Sequence, residues 1–367
     1  MKAAIVHYWL VNMRGGEKML EALLEMFPDA DIYTHVYDPG AIYETIKSHK
    51  IYTSYVNRLP FAKRLYRLYM PLMPRALLDF DLRQYGLVIS SEAGPAKGVI
   101  PNPNAYHLCY CHSPMRYIWD MYHEYLSGTN PIVRFFMKRL IPSLRVWDVT
   151  SANLVDRFVT NSTYTAKRIR RVYNREAEVV YGPAPIERYF SIERKPKDYY
   201  LFFGQLIGYK RVDLAIEACV RSGRKLIIAG AGANRREIKK HKNKGLVRFL
   251  GRVSDEESAA LFAGARALLF PGIEDLGLVP IEANAAGCPV IAFRDGGALD
   301  TIKENVTGLF FDEQSPSSLI EALCRFESME AKGVFLNREA FTNHVQQFTP
   351  DSFIERLRKI ITERKRI

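Results

Sequence analysis

The sequence predicts an α/β protein built from two doubly wound parallel-sheet domains. Three observations carry this. Short apolar runs alternate with helical patterns through the first half, and the same rhythm restarts at Tyr199. Between the two halves, Pro183, Pro185 and Pro196 break the periodicity. The total of 367 residues exceeds what one ordinary core organises. Successive strand–helix alternations imply parallel sheets with helices on both faces.

In the first half, Ala3–Val6 reads as a strand, Glu17–Met26 as a helix and Ile32–Val36 as a strand. Leu87–Ser90, Ala105–Cys111, Arg157–Thr160 and Ala177–Val180 follow as strands. Between the last two lies a helix over Asn161–Val172, capped by Asn161 or Ser162. In the second half, Leu201–Phe203, Lys225–Ala229, Val247–Leu250, Ala267–Phe270 and Val290–Phe293 read as strands. Arg211–Arg221, Asn234–His241, Ser254–Ala263 and Ser315–Phe326 read as helices, and Asp351–Glu363 as a charged amphipathic helix. The implied organisation is a first domain at 1–182, a linker at 183–198, a second domain at 199–350 and a terminal helix at 351–367.

Composition narrows the function classes. A hydrophobic fraction of 48% with 25% charged residues is that of a water-soluble globular chain. No apolar run approaches the roughly 18 residues that span a bilayer. The start, MKAAIVHYWLV, reads as a first strand rather than a signal peptide. Five cysteines without disulfide-like spacing point to a reducing cytoplasm. Net charge is +12. Between Asn57 and Leu78 the chain carries Arg58, Lys63, Arg64, Arg67 and Arg75 without an acid, interleaved with aromatic and aliphatic residues. Phe61, Leu65, Leu68, Tyr69 and Leu72 share one face at helical spacing, a pattern suited to an anionic membrane surface. Val133–Ile141 has the same character. No nucleic-acid-binding module appears, and no G-x-G-x-x-G follows the first strand.

The stretch PGIEDLGLVPIEANAAGCPVIAF holds the densest chemistry. An apolar strand, Ala267–Phe270, precedes it, and a small-residue helix over Ala283–Gly287 follows its loop. Glu274 and Glu282 flank that loop eight residues apart. Gly277 permits a turn closed to other residues. The amides of Leu278 and Val279 then stand at a helix start, which favours phosphate. Glu282 is placed to accept hydrogen bonds from paired hydroxyls such as a ribose offers, and Glu274 points beyond the phosphate. Gly204 to Lys210–Arg211 is a glycine-bearing loop ending in cations at a helix start, suited to a departing diphosphate. Gly15 and Gly16 open the first helix after the first strand and read as a weaker diphosphate contact. His112 ends a strand and reads as a donor to a sugar hydroxyl or to phosphate. His107, Cys109 and Cys111 alternate on that strand, the spacing of half-buried strand residues rather than of a metal site.

With these motifs in order, the chain resembles the retaining glycosyltransferases of family four, which have the GT-B fold. The likeness runs through GQLIGYKRVDLAIEA, GRVSDEESAALFAGARALLFPGIEDLGLVPIEANAAGCPVIA and GGALDTIKENVTGLFFD. Within that family it is most similar to mannosyltransferases that build O-antigen and other surface polysaccharides from GDP-mannose. The resemblance implies two Rossmann-like domains facing across a cleft, with the terminal helix crossing back to the first. It implies Glu282 on the donor ribose, Glu274 on the transferred sugar, Lys210 and the Leu278 amides on the diphosphate, and His112 near the sugar. It also implies a lipid-linked or saccharide acceptor, a peripheral position on the inner face of the cytoplasmic membrane, and no cofactor. A front-face transfer without metal is expected, because no carboxylate nucleophile is evident in the first domain and no Asp-x-Asp motif ends a strand of the second. A UDP-sugar donor and a non-catalytic sugar-nucleotide sensor are the alternatives. One departure stands out: the family has arginine where this chain has Gln205. Glutamine cannot replace the charge, so either Arg211 or Arg14 supplies it, or donor binding is weaker, or the donor is a divergent one.

Overall fold

The computed structural model describes residues 2–232 and 245–363. The expected helix Asn234–His241 lies outside the described residues. The chain divides into two units, Met1–Pro183 with Phe353–Ile367, and Ala184–Ser352.

The first unit carries a sheet of β1 (Ala3–His7), β2 (Asp31–Thr34), β3 (Ile51–Thr53), β4 (Leu87–Glu92), β5 (Tyr106–Cys111), β6 (Arg157–Thr160) and β7 (Ala177–Val179). Its order is β3-β2-β1-β4-β5-β6-β7, and every pair is parallel. All residues of β1 and β4 are buried, and up to the terminal His7 and Glu92 both read as continuous apolar or small-residue runs. The main helices are α1 (Gly15–Met26), α2 (Pro131–Ser151) and α3 (Thr163–Tyr173). Ser162, not Asn161, caps α3: its Oγ accepts the Thr165 amide at 3.0 Å. Helix α2 runs well past the expected Val133–Ile141 and contains Pro142.

The second unit carries β8 (Tyr200–Phe203), α4 (Val212–Arg221), β9 (Leu226–Ala229), β10 (Val247–Gly251), α5 (Asp255–Gly264), β11 (Leu268–Phe270), α6 (Leu278–Ala285), β12 (Val290–Phe293), β13 (Gly308–Phe311) and α7 (Pro316–Ala331). Its sheet is parallel in the order β10-β9-β8-β11-β12-β13. In both sheets the order reverses beside the first strand, between β1 and β4 and between β8 and β11. Such switch points are where doubly wound sheets bind ligands.

Three expectations change. The segment 183–198 is not a free linker: it belongs almost wholly to the second unit, forms a helical turn over Glu187–Phe190, and buries Ala184, Ile186 and Tyr189. The segment 57–78 is not one amphipathic helix. It breaks into short turns, and Pro71 and Pro74 open two of them at Met70–Leu72 and Met73–Ala76. Its packed face is Ala62, Tyr66, Met70, Met73 and Ala76, whereas Phe61, Leu65, Leu68 and Leu72 are exposed. The helix expected over Ala283–Gly287 begins earlier, at Leu278, and Gly287 follows its end at φ +76°.

The final helix, α8 (Pro350–Thr362), buries Phe353, Ile354, Leu357 and Ile360 in the same apolar cluster as Ile5, Leu20 and Tyr110. Burial of each such side chain contributes about 1.5–3 kcal/mol, which explains why this helix groups with the first unit.

A buried ionic cluster braces the loop after β4. Lys97 Nζ donates to Glu92 Oε1 at 3.1 Å and makes a short contact with Asp148 of α2. Asp148 also accepts from Trp119 Nε1 at 2.7 Å and Tyr173 Oη at 3.0 Å. Glu92 Oε2 accepts the Ala96 and Lys97 amides. Burial alone lowers the ammonium pKa, but Asp148 and Glu92 more than offset that and raise it. Lys97→Met keeps the stem and leaves two buried carboxyls facing each other, so it should cost about 3–5 kcal/mol. Chemical denaturation checks this; an unchanged midpoint would contradict it.

Candidate active site

Lys210 and Glu274 meet at the switch point of the second sheet. The loops after β8 and β11 are brought together by glycines. A Cβ on Gly272 would stand 2.5 Å from the Tyr209 carbonyl and 2.6 Å from Lys210 Cα. Gly204, at φ +132°, lies under the Lys210 ammonium, which is 3.3 Å from where its Cβ would be. So seated, Lys210 Nζ pairs with Glu274 Oε1 at 2.7 Å, with the two side chains only 12% and 17% exposed. The expected assignment of Lys210 to phosphate and Glu274 to sugar thus involves two groups ion-paired with each other. Arg211, at φ +52°, is engaged by Asp213 at 3.1 Å and by Gln314 Oε1 at 3.4 Å. Gln314 in turn donates to the Pro271 carbonyl at 2.8 Å. Gln205 is exposed.

The loop from Glu274 reaches α6 through Gly277, whose φ of +85° is left-handed. Helix α6 starts at Leu278, so the amides of Leu278 and Val279 stand at its N-terminus. Gly296 and Gly297 hold this loop from behind. The Gly297 amide donates to the Glu274 carbonyl at 2.8 Å, and a Cβ there would lie 2.4 Å from both Asp275 O and Leu276 Cα. Backbone cannot yield cheaply to such a contact. Gly297→Ala should therefore cost about 1–3 kcal/mol and shift the Glu274–Gly277 turn. Thermal melting and donor titration check it; wild-type values for both would contradict the reading.

Glu282 lies one turn into α6 and is half-buried. Burial pushes its pKa up to about 7, while Arg188 and Lys210 pull it down and Asp255 pushes it up. Arg188 is the residue that sequence reasoning missed. It sits in the helical turn of the supposed linker, donates to Tyr189 Oη at 2.8 Å and pairs with Asp255. No signal in the sequence ties position 188 to position 282. Gly272, Gly296 and Gly297 were missed for a related reason: a glycine passed closely by distant backbone has no local signature.

The first unit holds the other predicted residues. Gly15 and Gly16 are the first two residues of α1, and a Cβ on Gly16 would stand 2.2 Å from Tyr8 Oη. Gly16 is therefore required for close packing of the helix start, whatever its amide does. His112 Nε2 lies 3.0 Å from Ser91 Oγ. Burial, with the nearby His7, pushes its pKa down to about 3, so the ring is neutral at neutral pH. His107 is fully engaged by Ser90 Oγ at 2.9 Å and the Leu154 carbonyl at 2.8 Å. Arg58, Lys63, Arg64, Arg67 and Arg75 are all exposed, Lys63 pairing with Asp38 at 3.0 Å. On α2, Ile132, Phe135, Phe136 and Val146 are exposed among Arg134, Lys138 and Arg139. Among the described residues no helix is long and apolar enough to cross a membrane.

This arrangement of an ion-paired lysine, a helix start and a half-buried glutamate can be set beside known proteins. Residues 185–348 match the family model described as glycosyl transferases group 1. Over that segment the chain is similar to the group 1 glycosyl transferases. The α-1,3/1,6-mannosyltransferase of Mus musculus is 26% identical over 292 residues, 70% of this chain and 68% of that protein. The human protein of the same name is also 26% identical, over 64% of its length. The chain thus spans about two thirds of these relatives. Glycogen synthase of Thermodesulfovibrio yellowstonii is 31% identical over 177 residues, but only 36% of its length is covered. Among solved structures, Anabaena HepE in complex with UDP superimposes with a TM-score of 0.70 at 15% identity, over 99% of this chain and 100% of that one. Sucrose-phosphate synthase from Thermosynechococcus elongatus gives 0.71 at 17% identity, over 99% and 98%. These likenesses establish the fold of the chain as GT-B.

Proposed function

We propose that this chain is a glycosyltransferase that moves a mannosyl group from GDP-mannose, with retention at the anomeric carbon, to a lipid-linked or saccharide acceptor of surface glycan assembly. The observation that carries the donor reading is the Lys210–Glu274 pair beside the start of α6, with Glu282 one turn further on. The α6 amides and Lys210 take the diphosphate, Glu282 accepts the ribose hydroxyls, and Glu274 meets the transferred sugar. Lys210 then stabilises charge developing on the departing phosphate, whose oxygen accepts the acceptor's proton on the same face. No step requires a divalent metal. The similarity to mannosyltransferases favours mannose, whereas a UDP-sugar is the second reading because HepE is a UDP complex.

We assign the membrane side to the exposed basic and apolar residues of 58–75 and α2. Cations with interleaved Phe and Leu suit an anionic lipid surface, which supports a peripheral position on the cytoplasmic leaflet. The test is release of nucleoside diphosphate from GDP-mannose or UDP-glucose, with lipid-linked acceptors and a chelator present. Release of GDP supports the reading. Turnover of the UDP-sugar alone, or loss of turnover on chelation that manganese restores, would overturn the corresponding part.

A further inference from the structure

We infer that a buried string of Glu17, His7 and Ser91 fixes the tautomer of His112, so that His112 offers the sugar a bare Nδ1 acceptor rather than an N–H. This rests on the reading above that His112 stands near the transferred sugar.

The string lies at the switch point of the first sheet. His7 and Ser91 are register partners on the adjacent parallel strands β1 and β4, so their side chains share a face. His7 Nδ1 lies 2.9 Å from Ser91 Oγ, and Ser91 Oγ lies 3.0 Å from His112 Nε2. One hydroxyl thus bridges two imidazoles. At the far end, His7 Nε2 faces Glu17 Oε1 at 3.7 Å and has no closer hydrogen-bond partner among the described residues. Glu17 Oε2 is held by the Arg14 amide at 2.9 Å, which fixes the carboxyl in place. His7, Glu17 and Ser91 are all buried, so water does not compete for these positions.

The direction follows from donor and acceptor supply. A carboxylate only accepts, and a neutral imidazole has one N–H and one lone pair. Two lone pairs facing each other in a buried site are unfavourable, so the His7 proton sits on Nε2, toward Glu17. His7 Nδ1 is then an acceptor and takes the Ser91 hydroxyl proton. Ser91 Oγ, having donated, accepts from His112 Nε2–H. His112, neutral at physiological pH, is left with its lone pair on Nδ1. A lone pair favours a sugar hydroxyl and disfavours a bare phosphate oxygen, the reverse of the donor role that position alone suggests. His7, Ser91 and Glu17 are positioning residues in this scheme.

The test is a long-range 1H–15N imidazole spectrum of the full chain labelled at histidine, without donor, with His112 assigned by comparison with His112→Gln. The expected pattern is a protonated Nε2 and a bare Nδ1. Ser91→Ala should redistribute that pattern and lower turnover about 3- to 10-fold, the range for one lost hydrogen bond. Ser91→Thr, which keeps the hydroxyl, should restore both. A wild-type proton on Nδ1, or a His112 pattern untouched by Ser91→Ala, overturns the inference. Because the spectrum is read without donor, its failure is separable from failure of the transferase reading, which nucleotide release reports.

Discussion

Lys210→Ala lowers turnover by about 10²–10³-fold, the range for losing one preorganised group that stabilises developing negative charge. Donor affinity falls much less, because the α6 amides and Glu282 still hold the nucleotide. A second consequence follows from the ion pair. The variant leaves Glu274, only 17% exposed, without its partner 2.7 Å away. That costs about 1–3 kcal/mol of stability. Glu274→Gln in the Lys210→Ala background removes the orphaned charge and recovers part of the stability, without recovering turnover. Steady-state kinetics and thermal melting of the single and double variants separate the two effects. A Lys210→Ala enzyme with a wild-type rate would remove the lysine from the chemistry.

Glu282 gives the second large effect, and it depends on pH. Its folded pKa of about 7 lies above the ordinary glutamate value of 4.5. A group whose folded pKa is raised stabilises most below the ordinary value, and that contribution is lost as pH rises through the folded value. The free enzyme therefore loses stability from Glu282 between about pH 4.5 and 7. Glu282→Gln, which cannot ionise, should raise Tm relative to wild type at pH 8 and not at pH 4. Binding runs the other way. Ribose hydroxyls donate to the ionised carboxylate, so wild-type donor affinity rises up to about tenfold from pH 6 to 8, with Arg188 and Lys210 favouring ionisation and Asp255 opposing it. In Glu282→Gln that rise disappears. Glu282→Ala weakens the donor about 10- to 100-fold, the equivalent of one charged hydrogen bond. A variant more stable at pH 8 yet poorer at donor binding would mark a residue kept for function at a cost in folding.

The loop and helix start proposed to hold the donor were legible in the sequence because their signals are local. An apolar strand, a glycine that must turn, a helix start and two glutamates follow one another within a few turns of chain. The parallel sheets were legible for the same reason, apart from the short edge strand β3 and the strand β13. What escaped is set by contacts between distant positions. Arg188 reaches the surroundings of Glu282 from a segment whose prolines signal a break, although Tyr189 beside it is fully buried. Ser91 and His7 meet His112 across three strands, and no spacing announces a hydroxyl shared by two rings. In 57–78 the apolar residues occupy both faces, so periodicity alone selected the exposed set, while the i, i+4 series Ala62, Tyr66 and Met70 packs inward.

In the proposed function, Glu282 holds the pentose of a nucleoside diphosphate anchored on the second unit. Calorimetric titration of GDP and UDP, each beside its 2′,3′-dideoxy analogue, into wild type and Glu282→Ala tests it most directly. Deleting the two hydroxyls should weaken binding to the wild type about 10- to 100-fold and change nothing further in the variant. An analogue that binds the wild type as tightly as its parent, or a penalty that persists in Glu282→Ala, would contradict it.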